Sequence, residues 1–183
     1  MPSFVKLNKT FVIPDYDELE TAFSYGADKD DSYEGIKYMT ITTPSRDELF
    51  QVIPEEHRKH FGLNVMKINR TIPPHTDSYI KCCINFYMAT ENCVTQFHEP
   101  AVQNPRKYQI GNQSDGFMFV EADLKPIDRF IAQATEAWIL DVKKPHSVFP
   151  LRGITERRAV TLATSKFTFD EVCEMLKQTG HIN

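Results

Sequence analysis

What this chain lacks narrows its class before any motif is read. Its 183 residues contain no run of lysine and arginine, and the net charge is −4. A protein that grips a phosphate backbone usually presents a basic face, so no nucleic-acid partner is expected. No apolar stretch approaches the ~18 residues needed to cross a bilayer. The opening MPSFVKLNKTF lacks the basic-then-apolar order of a secretory leader. No membrane partner is expected either, and the expected location is cytoplasmic. The four cysteines, Cys82, Cys83, Cys93 and Cys173, show neither CxxC nor zinc-finger spacing. They read as reduced, mostly buried thiols. The adjacent pair Cys82 and Cys83 would point to opposite faces of a strand. No repeat, low-complexity tract or linker interrupts the chain, so one domain over 1–183 is expected.

What is present is a globular composition, 41% hydrophobic and 25% charged. Residues 1–62 read as a mixed helix/strand support. FVIPD (11–15) suggests a short strand ended by Pro14, GADKDDSYEG (26–35) a polar loop, and IKYMTIT (36–42) an alternating strand. Ser45 followed by Glu48 is a capping-box pattern that opens a helix near residue 46. PEEHRKHF (54–61) suggests a second helix with Pro54 at its first position and acids preceding bases.

The character changes after Gly62. LNVMKINR (63–70), YIKCCINFYM (79–88), NCVTQFHE (92–99), FMFVEAD (117–123), RFIAQA (129–134), EAWILDV (136–142), PHSVF (145–149) and RRAVTLATS (157–165) are short and rich in β-branched and aromatic residues. Between them, residues 105–116 read as loop or hairpin. Strands at this spacing, without helices among them, predict a mainly β sandwich or jelly-roll barrel over 63–165. TFDEVCEMLKQTG (168–180) sets Val172, Met175 and Leu176 on one face before Gly180, so 166–183 reads as a C-terminal helix.

Of the six histidines, His57 and His60 fall in a charged segment and His181 at the tail, which suits solvated roles. His98 follows a strand and borders the long loop; a loop-rim or substrate-facing role is open to it, and a plain polar contact is the simpler reading. His75, in PPHTD, and His146, in KKPHSV, each follow a proline. Residues i and i+2 of a strand share a face, so His75 and Asp77 would point the same way. An imidazole and a carboxylate so placed can share a metal ion, and a second imidazole from His146 would complete two histidines and one carboxylate, a set that suits Fe(II) and leaves positions open. Taken alone, the pair is also what a turn histidine with a capping aspartate looks like. Further on, Arg157 heads a strand face carrying Ala159, Thr161 and Ala163. A guanidinium at the head of a small-residue face fits a pocket carboxylate, although a surface arginine is the simpler explanation for any single Arg. Asn85 and Tyr87 share one strand face, and Thr95 and Phe97 another; these could contact a small molecule or pack the barrel. Trp138 reads as core.

In combination, HTD (75–77), EAWILDVKKPHSV with His146, and the arginine that follows resemble the Fe(II)/2-oxoglutarate-dependent oxygenases. The EAWILDV–KPHSV segment is most similar to their aspartyl/asparaginyl β-hydroxylase and proline hydroxylase branch. The resemblance covers residues 63–165 and implies a double-stranded β-helix, the cupin-like jelly roll. It implies His75, Asp77 and His146 as catalytic iron ligands, an arginine for the 2-oxoglutarate carboxylate, O2 as oxidant, and hydroxylation of a C–H bond in a small molecule or peptide residue, with release of succinate and CO2. Asn85, Tyr87 and Thr95 are further candidates for holding the co-substrate. The branch pattern would place the arginine one residue earlier, where this chain has Glu156. Strand parity favours Arg157, Arg158 stays open, and Arg152 belongs to the turn. Loop 98–116 would face substrate. The alternative is a cupin-like metal-binding protein without that activity, but cupins usually offer His-x-His where this chain has His-x-Asp.

Overall fold

The computed structural model describes residues 2–13, 23–24, 36–40, 46–90, 92–109, 116–152 and 156–183. The expected loop at 26–35, the cap residue Ser45, the end of FVIPD and part of LRGIT lie outside them.

In the larger of two sheets, period-2 segments such as Gly62–Ile68, Cys82–Ala89 and Arg157–Thr164 form strands because alternate side chains have two different apolar spaces to fill. The strands are β1 (Phe4–Lys6), β2 (Phe23–Ser24), β3 (Ile36–Thr40), β4 (Gly62–Ile68), β5 (Ile72–Thr76), β6 (Cys82–Ala89), β7 (Cys93–Pro100), β8 (Lys107–Gln109), β9 (Phe117–Phe119), β10 (Leu124–Phe130), β11 (Ala137–Leu140), β12 (His146–Pro150) and β13 (Arg157–Thr164). They build a seven-stranded sheet, β1-β11-β6-β13-β4-β3-β2, and a six-stranded sheet, β10-β7-β12-β5-β9-β8. The pairs are antiparallel throughout.

From β4 to β7 and again from β10 to β13 the chain alternates between sheets, while β7, β8, β9 and β10 all lie in the six-stranded one. β4, β6, β11 and β13 lie in one and β5, β7, β10 and β12 in the other. That order is the jelly roll, a double-stranded β-helix. The chain is therefore mainly β with few helices, the fold class expected from its strand spacing.

Strand alternation divides the larger sheet between two cores. Cys83, Tyr87, Leu140 and Ala159 face the barrel interior with Met66, Phe97, Phe130 and Val148. Cys82, Ile84, Phe86, Val160 and Leu162 face outward, where Leu49, Ile53 and Phe61 cover them together with Val172 and Leu176. Each such buried side chain contributes about 1.5–3 kcal/mol relative to exposure. Val172 and Leu176 belong to α2 (Phe169–Gln178), which Thr168 and Glu171 open with a reciprocal capping box. Gly180, at φ 71°, follows its end in the left-handed region that glycine adopts without penalty. All four cysteines are free thiols.

Several local expectations are corrected. EEHRKH forms a 3-10 helix, Glu55–His60, with Pro54 at its N-cap position. None of its residues is buried, so no apolar stripe holds a wider α-helical turn. An α-helix, α1, does occupy Arg46–Phe50. Phe11–Ile13 is irregular: the Phe11 amide donates to Thr135 O and its ring packs edge-on to Phe86. The strand expected at 129–134 spans Leu124–Phe130 and includes Pro126. β10 is the outer strand of its sheet, where a missing N–H costs no ladder bond. FMFVEAD stops as a strand at Phe119 and turns through a 3-10 segment, Glu121–Asp123.

Candidate metal centre

The two histidines meet because β5 and β12 are neighbours, with His75 opposite His146 in register. β5 contains both prolines of IPPHT and ends at Thr76. Asp77 is the first residue past the strand, held by its amide donating to Val142 O at 3.0 Å. One ligand atom from each of His75, Asp77 and His146 can be chosen so that all lie within 4.8 Å of one another. The imidazole centroids are 4.3 Å apart. His75 Nε2 lies 3.5 Å and His146 Nε2 3.7 Å from the same oxygen of Asp77.

Both rings are held from behind by the same device. His75 Nδ1 lies 2.8 Å from Pro73 O, and His146 Nδ1 3.0 Å from Lys144 O, each a carbonyl two residues upstream. A carbonyl only accepts, so each Nδ1 carries the proton and each Nε2 presents its lone pair to the shared space. Phe97 stacks on His146 at 5.6 Å. Burial first, then the neighbouring His75, hold the His146 pKa down to about 4, leaving its neutral, ligating form favoured. Burial raises the Asp77 pKa, but hydrogen bonding to His75 and the charge of His146 outweigh it, so its net shift is downward and the carboxylate is favoured.

Arg157 begins β13 on the interior face and is 2% exposed. Its guanidinium donates to Thr95 Oγ1 at 2.7 Å and to the Tyr87 hydroxyl, while its Nε is buried without a partner. Burial pushes the Tyr87 phenol up, so that oxygen is neutral and supplies no counter-charge. Tyr87 also receives a bond from Asn85 Nδ2 at 3.3 Å, and Asn85 Oδ1 accepts from Thr161 at 2.8 Å. Asn85, Tyr87, Thr95 and Arg157 thus form one buried polar network. Arg158 points to the other face and lies 3.7 Å from Glu156.

His98 is buried and lies 2.9 Å from Ser147 Oγ, a polar contact outside the cluster. Trp138 stacks on Phe130 at 4.2 Å, as core. His57 and His60 pack edge-on to Phe167, and His181 stacks on Phe11, so these three are half-buried rather than solvated. Sequence reading missed the paired carbonyl clamps. Their signal was present: both histidines follow a proline, at positions 74 and 145.

No family model matches the sequence, and no curated protein does. Among solved structures, the chain is similar to the vicilin from Solanum melongena, with 12% identity and a TM-score of 0.38 over 72% of this chain. The chain spans only 29% of that vicilin. It is also similar to the epimerase SnoN, whose structure holds Fe3+, alpha-ketoglutarate and nogalamycin RO, with 13% identity and a TM-score of 0.47. That likeness covers 80% of this chain and 68% of SnoN.

Proposed function

We propose that the protein is an Fe(II)- and 2-oxoglutarate-dependent dioxygenase that hydroxylates a C–H bond of an amino acid or peptide residue, with release of succinate and CO2. Within that class the reading takes the aspartyl/asparaginyl and proline hydroxylase branch, which the EAWILDV–KPHSV segment resembles.

The observation that carries it is a buried cation without an anion, in the same barrel interior as a two-histidine, one-carboxylate cluster. Burying an unpaired guanidinium costs several kcal/mol. The orphaned Arg157 Nε and the two neutral hydroxyl partners leave that cost unmet among the described residues. A bound dicarboxylate would meet it with a charge-assisted bond. The donor set fits the metal equally: two Nε2 lone pairs and a carboxylate oxygen suit Fe(II) and leave positions open.

When bound, Fe(II) with 2-oxoglutarate and O2 supplies oxidative decarboxylation of the co-substrate coupled to oxygen insertion into a C–H bond. The chain's own residues do the rest. His75, Asp77 and His146 hold the metal, and the Pro73 and Lys144 carbonyls fix both imidazole tautomers. Arg157 binds the remote carboxylate of 2-oxoglutarate, with Tyr87 and Thr95 orienting its fork and Asn85 orienting Tyr87. Phe97 and the surrounding apolar wall exclude water.

The test is the visible charge-transfer band of the anaerobic Fe(II)–2-oxoglutarate complex. Wild-type protein should show it and His75→Ala should not. A band that persists in His75→Ala sinks the metal assignment.

A further inference from the structure

A cavity of about 450 Å3 lies where residues 59–64, 80 and 163–166 converge. It opens at the end of the barrel where Asp77 sits. Leu140, Cys83, Ala163 and Gly62 stand level across four strands, and the Asp77 amide bonds Val142, two residues beyond Leu140. Gly62 and Ala163 both line the cavity. Its inner wall continues the interior face, because Asn64 pairs with Thr161, the residue that donates to Asn85. The cavity therefore adjoins the polar network that holds Arg157.

Its charge runs against that of the chain. Lys59, His60 and Lys166 rim it and, among the described residues, no acidic one lines it, although the protein carries −4 overall. Lys166 Nζ lies 3.2 Å from His60 Nε2 and, as the obligate donor, leaves two N–H groups for a ligand. Lys81 donates to Lys166 O at 3.2 Å, bringing a further ammonium close. Beneath the cations, Ile80 and Ala163 give an apolar floor.

We infer that this cavity is the substrate site, and that Lys59 and Lys166 hold a substrate carboxylate at its rim while the adjoining carbons lie on Ile80 and Ala163. This rests on the dioxygenase reading and narrows it to substrates with a free carboxylate. The volume suits a small molecule. A free amino acid and the C-terminal residue of a peptide offer the same group.

The 183-residue chain, without metal, is titrated with N-acetylalanine, with an acetylated alanine-terminated tripeptide, with the C-terminal amide of each, and with inorganic phosphate. Backbone amide NMR signals of Gly62, Asn64 and Ala163 are followed. The free acids should shift them and the amides should not. A response to N-acetylalanine alone assigns the site to single amino acids, and a tighter response to the tripeptide assigns it to peptide C-termini. The K59Q/K166Q double variant should bind at least about tenfold more weakly, and K59R/K166R should bind as wild type. Equal binding of acids and amides, unaltered binding by K59Q/K166Q, no shift with any acid, or a response to phosphate alone overturns the assignment. A missing Fe(II)–2-oxoglutarate band in wild-type protein would instead sink the metal reading, independently of this titration.

Discussion

The guanidinium carbon of Arg157 sits 4.8 Å from the ring centroid of Tyr87, and the same guanidinium donates to the Tyr87 hydroxyl. One side chain thus meets the cation both by its ring and by its oxygen, and neither contact neutralises it. The pair is a cationic seat in the barrel interior that lacks a counter-charge among the described residues.

Replacing that seat separates stability from binding. In Arg157→Met the unpaired buried charge is gone, so the ligand-free protein should melt no lower than wild type. Stabilisation by 2-oxoglutarate should disappear. At a hundredfold excess over Kd the wild-type gain is about 2.7 kcal/mol. Arg158→Gln, on the opposite face, should keep that gain. Thermal melts with and without 2-oxoglutarate decide it: a gain lost in Arg158→Gln and kept in Arg157→Met would reverse the assignment.

Acid should weaken the metal-free fold through His146. Its pKa falls from 6.5 in an ordinary setting to about 4 in the folded chain. Between those values the unfolded chain takes up a proton that the folded chain refuses, so this contribution is fully present above 6.5 and is lost towards 4. His98 and His181 are shifted in the same direction by burial. The informative quantity is therefore the difference between wild type and His146→Gln. The drop in Tm from about pH 7 to about pH 5 should be smaller in the variant; an equal drop would refute the assignment to His146.

Gly116 is where the β8–β9 hairpin touches the segment that follows Asp77. A Cβ there would lie 1.9 Å from Ser78 Oγ, 3.0 Å from its Cβ and 3.1 Å from its amide nitrogen. Rotating the hydroxyl removes only the first clash. Gly116→Ala should cost about 1–3 kcal/mol by urea unfolding. Adding Ser78→Gly should recover part of it, since the backbone contact remains. No loss in Gly116→Ala would mean that the hairpin stands clear of residue 78.

The C-terminal helix offers a simpler measurement. Thr168→Ala removes the hydroxyl that accepts from the Glu171 amide and should cost about 1 kcal/mol. Thr168→Ser should cost little. The urea midpoint reads both, and a Thr168→Ala midpoint equal to wild type would show that the cap contributes nothing.

The parts of this fold legible in the sequence are those in which one local pattern decides one outcome. Alternation over LNVMKI and AVTLAT produced strands because each face has a core to fill, and His75 and His146 could be paired from a motif order. What escaped reading depended on distant partners. Pro126 stands in a strand only because β10 is an outer strand. The EEHRKH segment tightens to a 3-10 helix because none of its residues is buried in a core. The cavity draws Lys59, Ile80 and Lys166 from separate parts of the chain, and no spacing between them announces it. The choice between Arg157 and Arg158 needed neighbours as well: Tyr87 and Thr95 for one, Glu156 for the other.

Where β6 runs beside β13 it bulges at Met88, which goes without an opposite residue between Arg158 and Ala159. The unbroken pairing of β13 with β4, with Arg157 opposite the interior residue Ile68, fixes which of two consecutive arginines faces inward. Slide the strand by one residue and the inward cation becomes Arg158, while Arg157 turns out toward Glu156. Which anion the barrel can welcome is thus set by counting residues along a ladder, and a one-residue insertion or deletion ahead of Ala159 would rewrite the chemistry without altering a single side chain of the site.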